Sequence, residues 1–357
     1  MIKKIGLIAP LLKDILAFIS NKLYSPKHNE KVLLVNFENP QLYHRFFYLM
    51  LKFYQLSGYT IHYPMSFSKF RNLRNKDRYL GLIVREKHFL SINKQKFSKH
   101  AITIDDGMFS SDYFDNYFKK NNSEDNSFHI PMSFHPFMYH HGIWNNKVTT
   151  DKNRANAIFC YGNFDSKAYL EIKKTYFKSV PRTELLQFFK DKFNIISIAS
   201  KEEILDKKPS SYDKKIVFAI KEQYAIKMEN VRELLSYFNF YLCCPGVVMP
   251  LCHNVIEAMS VGTIPLIQKE YADVMYPHLE HNVNAIIFND LSHLETIMTK
   301  EIFTIPEERI SILKKNVLEY YNKNLSPESV VTKINDSIKN KKRIYLQAEH
   351  RSVKFIK

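Results

Sequence analysis

The stretch CPGVVMPLCHNVIEAMSVGTIPLIQ, Cys244 to Gln268, decides how this chain is read. It continues the apolar run FYLCC (Phe240 to Cys244), which has the composition of a buried strand. Pro245-Gly246 ends that strand in a turn. HNVIEAMSVG, His253 to Gly262, has the spacing of a short helix with Gly262 just past its end. Thr263 to Gln268 then returns as another strand. Asn254 is placed to cap free N–H groups at the helix start. Such an end favours an anion, typically a phosphate. Glu257 lies on the first turn, where a carboxylate can accept two hydrogen bonds from a vicinal diol such as a ribose. Ala258 and Ser260 are small and permit close approach. The plain alternative is a helix–strand turn with Glu257 in solvent.

Working outward, the second half repeats strand and helix signals. NAIFCYGN (Asn156 to Asn163) reads as a strand running into a Gly-Asn turn, and residues 165–177 read as helical. Arg182 to Asp191 is a helix, Phe193 to Ser200 a strand, Lys214 to Ile220 a strand and Met228 to Asn239 a helix. Residues 306–340 are helical again. In the first half, Lys31 to Phe37 is a strand, LYHRFFYLMLKFYQLSG a helix closed by Gly58, and Tyr59 to Pro64 a strand. YLGLIVRE (Tyr79 to Glu86) and HAITIDDG (His100 to Gly107) read as further strands, and 110–128 as a polar surface excursion. Strands alternating with helices in both halves predict two doubly wound α/β domains, with ligands outside the carboxyl ends of the strands. The expected divisions are 1–150, 151–335 and a basic tail, 336–357.

Composition narrows the classes. Of 357 residues, 45% are hydrophobic, with 27 Phe and 22 Tyr, so the chain fills a core and is not disordered. Four Cys in this length make no disulfide scaffold and fit reduced thiols of a cytoplasmic protein. Cys243, Cys244, Cys252 and His253 lack the pair spacing of a zinc site, and no metal is expected. Lys and Arg number 52 against 36 Asp and Glu, a net charge of +16 that favours an anionic partner. The N-terminal segment 1–24 carries Ile5, Ile8, Leu12, Ile15, Ile19 and Leu23 near helical spacing, with Lys3, Lys4, Lys13, Asp14 and Lys22 between them. Lys13 and Asp14 leave it too short an apolar run to span a bilayer, and it lacks a signal-peptide cleavage site. It reads either as an ordinary packed helix or as a basic amphipathic helix on a membrane.

Glu257-Ala258-Met259-Ser260-Val261-Gly262-Thr263-Ile264-Pro265 resembles the E-A-x-x-x-G-x-I-P signature of GT-B glycosyltransferases, shared by family-4-like bacterial enzymes and exostosin-like ones. The resemblance is strongest over 240–290. It implies two Rossmann-like, doubly wound domains facing a cleft, with the nucleotide-sugar site in the C-terminal one. It implies that Glu257 binds the donor ribose and that Gly162-Asn163 lies near the donor phosphates. Pro245, Gly246, His253 and Asn254 would line the nucleotide or sugar. The nucleotide-sugar is then a co-substrate, and no cofactor is expected.

One position departs from the pattern. Retaining family-4-like enzymes usually carry an acidic residue eight positions before this Glu, and here that residue is Met249. An inverting displacement fits better. It needs a base for the acceptor hydroxyl and cations or N–H dipoles for the leaving diphosphate. Asp105 and Asp106, at a strand's carboxyl end, are candidate bases. So are His135, with His140 and His141 nearby, and Glu38. Arg182, Lys221 and Lys227 are candidate cations, with Arg182 alternatively paired to Glu184 or in solvent.

The expected activity is transfer of a sugar from a nucleotide-sugar to a hydroxyl of a bacterial surface glycan or glycolipid, such as lipopolysaccharide, capsule or O-antigen. The enzyme would be cytoplasmic, either peripheral at the anionic inner face of the cytoplasmic membrane or purely soluble. Two alternatives stand beside it. One is a pyruvyltransferase-like glycan-modifying enzyme using phosphoenolpyruvate. The other is a basic nucleic-acid-binding protein, disfavoured because its cations are dispersed and no recognition motif is visible.

Overall fold

The computed structural model describes residues 2–24, 26, 30–94, 101–119, 126–150 and 153–357, and the side chains from residue 9 onward. Met1, the side chains of residues 2–8, His100 and residues 120–125 of the polar stretch lie outside the described residues. Within the first unit, β1 (Val32–Asn36) buries Leu33 and Val35. It pairs in parallel with β2 (Thr60–His62) on one side and β3 (Ile102–Asp105) on the other. The helix Arg45–Leu56 between β1 and β2 is buried almost all round, from Phe46 to Tyr54. Gly58, at φ +83°, makes the turn into β2, a conformation that a side chain would strain.

The run YLGLIVRE is a helical segment and not a strand: Leu82–Arg85 is a short helix. Asp77 Oδ1 accepts from the N–H groups of Tyr79 and Leu80, both at 2.8 Å, which starts the turn. A short apolar run alone does not separate a buried strand from a buried helix. Glu86 ends this segment, accepting from Lys52 Nζ and, at 2.9 Å, from the Tyr48 hydroxyl. The stretch 110–128 is also more than an excursion. It holds β4 (Phe109–Ser110) and β5 (Ser127–His129), and buries Tyr113 and Phe114.

In the second unit, β6 (Ala155–Gly162), β7 (Ile195–Ser197), β8 (Ile216–Ile220), β9 (Phe238–Leu242), β10 (Ile264–Gln268) and β11 (Ile286–Phe288) form one parallel sheet. Its order is β11-β10-β9-β6-β8-β7. β8, β9 and β10 are buried at every residue, as parallel strands covered on both faces must be. From β6 the chain goes first to the edge strand β7, returns through β8 beside β6, then crosses to β9 on the other side of β6. The carboxyl ends of β6 and β9 are therefore the topological switch point, where such sheets bind ligands.

The last strand, β12 (Arg343–Tyr345), belongs to the first unit, inserted in parallel between β4 and β5. The region read as a basic tail is folded: Ile344, Tyr345 and Leu346 are buried, and Tyr345 stacks on His129 at 4.4 Å. The helix Pro327–Lys339 precedes it, and there Asn335 accepts from Tyr54 and donates to Tyr59. The first unit thus comprises Met1–Tyr113, Asn122–Ile130 and Pro327–Ser352, and the second Phe114–Asn121, Pro131–Ser326 and Val353–Lys357. These limits differ from the divisions at 150 and 335, because the chain enters each unit more than once.

The N-terminal helix Ile2–Leu23 packs on the helix Phe67–Lys76 of its own unit. Asp14 is buried and paired with Arg71 at 3.2 Å and Arg74 at 3.1 Å, and Phe18 meets Phe67 and Phe70 edge-on. Among the described residues no helix is long and apolar enough to cross a membrane.

The buried Lys52–Glu86 pair yields a prediction. Lys52→Met strands the Glu86 carboxylate and lowers unfolding stability by about 3–5 kcal/mol in urea titrations. The double change with Glu86→Gln recovers most of that loss. Equal losses in the single and double variants would show that the pair is not coupled.

Candidate functional site

A pocket of about 330 Å³ opens at the carboxyl end of the second unit's sheet. It brings together His135, Gly162, Asn163, Arg182, His253, Asn254 and Glu257 from the sequence-derived set, and Lys221 from the candidate cations. Each comes from the end of an element. Tyr161, Gly162 and Asn163 close β6. Lys221 follows β8, its N–H donating to the Gly162 carbonyl at 2.9 Å. His253, Asn254 and Glu257 lie on the seven-residue helix His253–Met259.

Arg182 is the centre of this arrangement. It begins the helix Arg182–Lys192, after Pro181, and is buried. Its Nε and Nη2 donate to the Pro245 carbonyl at 3.0 and 2.7 Å, and its Nη1 donates to the Asn163 carbonyl at 3.0 Å. Its guanidinium stacks over the Tyr169 ring at 3.8 Å. Glu184 pairs with Lys173 instead. Among the described residues the partners of Arg182 are carbonyls, the Cys252 sulfur and a ring, with no carboxylate. Burial opposes its charge, but Cys252, Cys244 and Tyr169 around it raise its pKa above the ordinary value. Gly162 makes room for this cation: at φ +150°, a Cβ there would sit 3.1 Å from Arg182 Nη1.

Glu257 is 1% exposed, so it is not a solvated turn residue. Its Oε1 lies 2.9 Å from His253 Nδ1, and its Oε2 accepts from the Tyr161 hydroxyl. Burial raises its pKa, but the charge and hydrogen bond of His253, the Tyr161 hydrogen bond and the charge of His135 outweigh it, and the net shift is downward. Burial and the Glu257 charge push the Tyr161 phenol well above its ordinary value, so it remains a donor. A carboxylate offers about four lone-pair sites. With one bond on each oxygen, Glu257 keeps acceptor capacity for a diol.

Asn254 does not cap the helix. Cys252 occupies the cap position, and Asn254 Nδ2 donates to the Tyr161 carbonyl at 3.2 Å, tying the helix to β6. Burial raises the Cys252 thiol, but His253 and Arg182 hold it below its usual value. Pro245 and Gly246 act through the backbone: Pro245 receives Arg182, and a Cβ on Gly246 would meet the Met249 carbonyl at 2.8 Å. The His135 ring lies 5.5 Å from that of His253. His135 Nδ1 accepts from the Phe137 N–H at 3.3 Å, which places the proton of the neutral ring on Nε2.

Asp105 and Asp106 belong to the first unit. Asp105 Oδ1 accepts from the Gly107 N–H at 2.9 Å. The Asp106 carboxylate accepts from the N–H groups of Glu38 and Asn39, at 2.5 and 3.1 Å, joining the loops after β1 and β3. Asp106 also lines a first-unit pocket of about 790 Å³ with Lys341, Lys342 and Arg343. Among the described residues no group of three or more His, Cys, Asp or Glu is placed to hold a metal ion. The sequence reading missed Tyr161 and Tyr169. Tyr161 was signalled only by adjoining Gly162, and Tyr169 lies thirteen positions from the cation it stacks on.

The lowered pKa of Glu257 has a pH consequence. A depressed folded-state pKa contributes stability above the unfolded value, about 4.5, and that stability is lost as pH falls through the folded value. Glu257→Gln lowers stability by on the order of 2–3 kcal/mol at pH 7. The gap from the unsubstituted protein narrows as pH falls below about 4.5, measured by denaturant titration across pH. A gap independent of pH would mean that the carboxylate charge carries none of it.

No known protein family matches the chain, and no curated protein matches it. Solved structures do align with it. One is an alpha-glucosyltransferase in complex with UDP and a 13-mer DNA, 10% identical over 87% of this chain and 99% of that one, with a TM-score of 0.44. Another is Anabaena HepE in complex with UDP, 12% identical over 94% and 84%, with a TM-score of 0.31. A third is the N-terminal domain of Candida albicans trehalose-6-phosphate phosphatase, 13% identical over 90% and 72%, with a TM-score of 0.34. Likenesses this slight carry no inference about chemistry.

Proposed function

We propose that this chain is a GT-B glycosyltransferase that moves a sugar from a nucleotide-sugar to a hydroxyl of a bacterial surface glycan or glycolipid. The observation that carries the reading is Arg182, a buried cation with no carboxylate partner among the described residues, beside Gly162, Asn163 and Lys221 at the switch point. A buried charge of this kind favours an anion in the adjoining space. Arg182 and Lys221 then hold the diphosphate and stabilise its negative charge as it leaves. Glu257 takes the ribose diol with its remaining lone pairs and keeps His253 and Tyr161 in place. The two cations do the work of a metal.

Met249 is buried where a retaining relative carries an acid, which favours an inverting displacement. The base then comes from Asp105 or Asp106, with Asp106 already facing a pocket rimmed by cations. His135, its Nε2 protonated, serves better as a donor to the sugar or phosphate than as the base. The acceptor side lies at the inner face of the cytoplasmic membrane, a placement supported by the +16 charge.

A thermal-shift panel with UDP, GDP, CMP, ADP and phosphoenolpyruvate tests this. One nucleotide at a hundred times its Kd adds about 2.7 kcal/mol of stability. Lys221→Ala, an exposed change that leaves the core intact, weakens that Kd by about ten- to a hundredfold. A shift with phosphoenolpyruvate alone would favour the pyruvyltransferase reading, and no shift with any nucleotide would remove the donor site.

A further inference from the structure

The N-terminal helix carries apolar residues on an outer face as well as on its packed one. Its inner face carries Asp14 in a double ion pair with Arg71 and Arg74, and Phe18 against two further rings. Its outer face carries Leu12, Leu16, Ile19 and Leu23, exposed by 53, 66, 48 and 81%. Positions spaced by four, three and four residues share one side of a helix. The protein therefore holds Asp14 inward and presents an apolar stripe to solvent.

Charge identifies what covers the stripe. The N-terminal helix and the helix Phe67–Lys76 under it carry eight Lys or Arg in their sequences, and Asp14 is their one carboxylate. Asp14 is already engaged by two arginines. Lys13 and Lys22 flank the stripe on its two sides by helical position. From Leu12 to Leu23 the stripe runs about 17 Å and covers about 170 Å² at a helix width of about 10 Å. A stable protein interface needs about 800 Å² per partner. A bilayer needs no complementary protein surface. It takes the apolar face into its acyl boundary while anionic headgroups meet the cations.

We infer that the helix Ile2–Leu23 docks this protein in the plane of an anionic phospholipid surface, with Leu12, Leu16, Ile19 and Leu23 inserted and the flanking Lys13 and Lys22 at the headgroups. The inference deepens the membrane-side placement proposed above and is independent of the chemistry in the second unit's pocket.

Cosedimentation of the full chain with vesicles tests it. Vesicles of phosphatidylcholine containing phosphatidylglycerol bind the chain at least about tenfold more tightly than pure phosphatidylcholine. Leu16→Glu with Ile19→Glu lowers that partitioning by about tenfold or more, and Lys13→Gln by roughly fivefold at low salt. All three positions are exposed, and the variants keep the nucleotide-induced thermal shift, which separates failure of docking from failure of the donor site. No binding of the unsubstituted chain to anionic vesicles would overturn the inference. So would a concentration-dependent dimer in sizing experiments that the double change abolishes, since the occupant would then be a second copy.

Discussion

The guanidinium of Arg182 is shared between the carbonyls that end β6 and follow β9, and the geometry of the pocket depends on that sharing. A cation taken out of water loses hydration worth several kcal/mol unless fixed dipoles replace it. Here the Asn163 and Pro245 carbonyls and the Tyr169 ring replace it. In return, the cation holds two strand ends against each other through the carbonyls of Asn163 and Pro245. Gly162 is tied to the same requirement, since any side chain there would press on the guanidinium. Glu257 answers a parallel need on the other wall, where His253 and Tyr161 surround a carboxylate that would otherwise be costly to bury.

The strand–turn–helix–strand order from Phe240 to Gln268 was legible because its signals are local. Pro245-Gly246 breaks the strand, Gly262 ends the helix, and apolar runs flank both. The contacts that make the pocket were not legible, because they are tertiary. The pairing of Asn254 with the Tyr161 carbonyl spans 93 positions, and capping preference alone assigns that side chain to its own helix. Tyr79 to Glu86 was misread for a different reason. Its buried apolar run suits either regular structure, and the Asp77 hydrogen bonds that start a helical turn decide between them. At the C-terminus, Lys341, Lys342 and Arg343 hid the apolar triplet Ile344-Tyr345-Leu346, a strand too short to show a period.

The two units use charge differently. In the first, Lys52 and Glu86 neutralise each other in the interior, and Asp14 is neutralised by two arginines. Those groups fasten helices together. In the second, the central cation faces dipoles, which satisfy its hydrogen bonds without cancelling its charge. The surplus of Lys and Arg in the composition conceals this distinction, which lies in the partners of each buried charge.

The position of β12 bears on how the protein is made. It is the middle strand of β4-β12-β5, yet it leaves the ribosome long after its two neighbours. At about 5–20 residues per second, β4 and β5 wait on the order of 10–40 s for the segment that joins them. During that time their edges have no partner in this sheet, while the second unit's strands, contiguous in the chain, can already pair. Synthesis therefore orders assembly against chain order: the sheet begun by β4 is completed only after the six-stranded sheet of the second unit. A nascent chain arrested before Arg343 would carry the paired sheet of the second unit and two unbridged strand edges, the kind of surface that holdase chaperones retain.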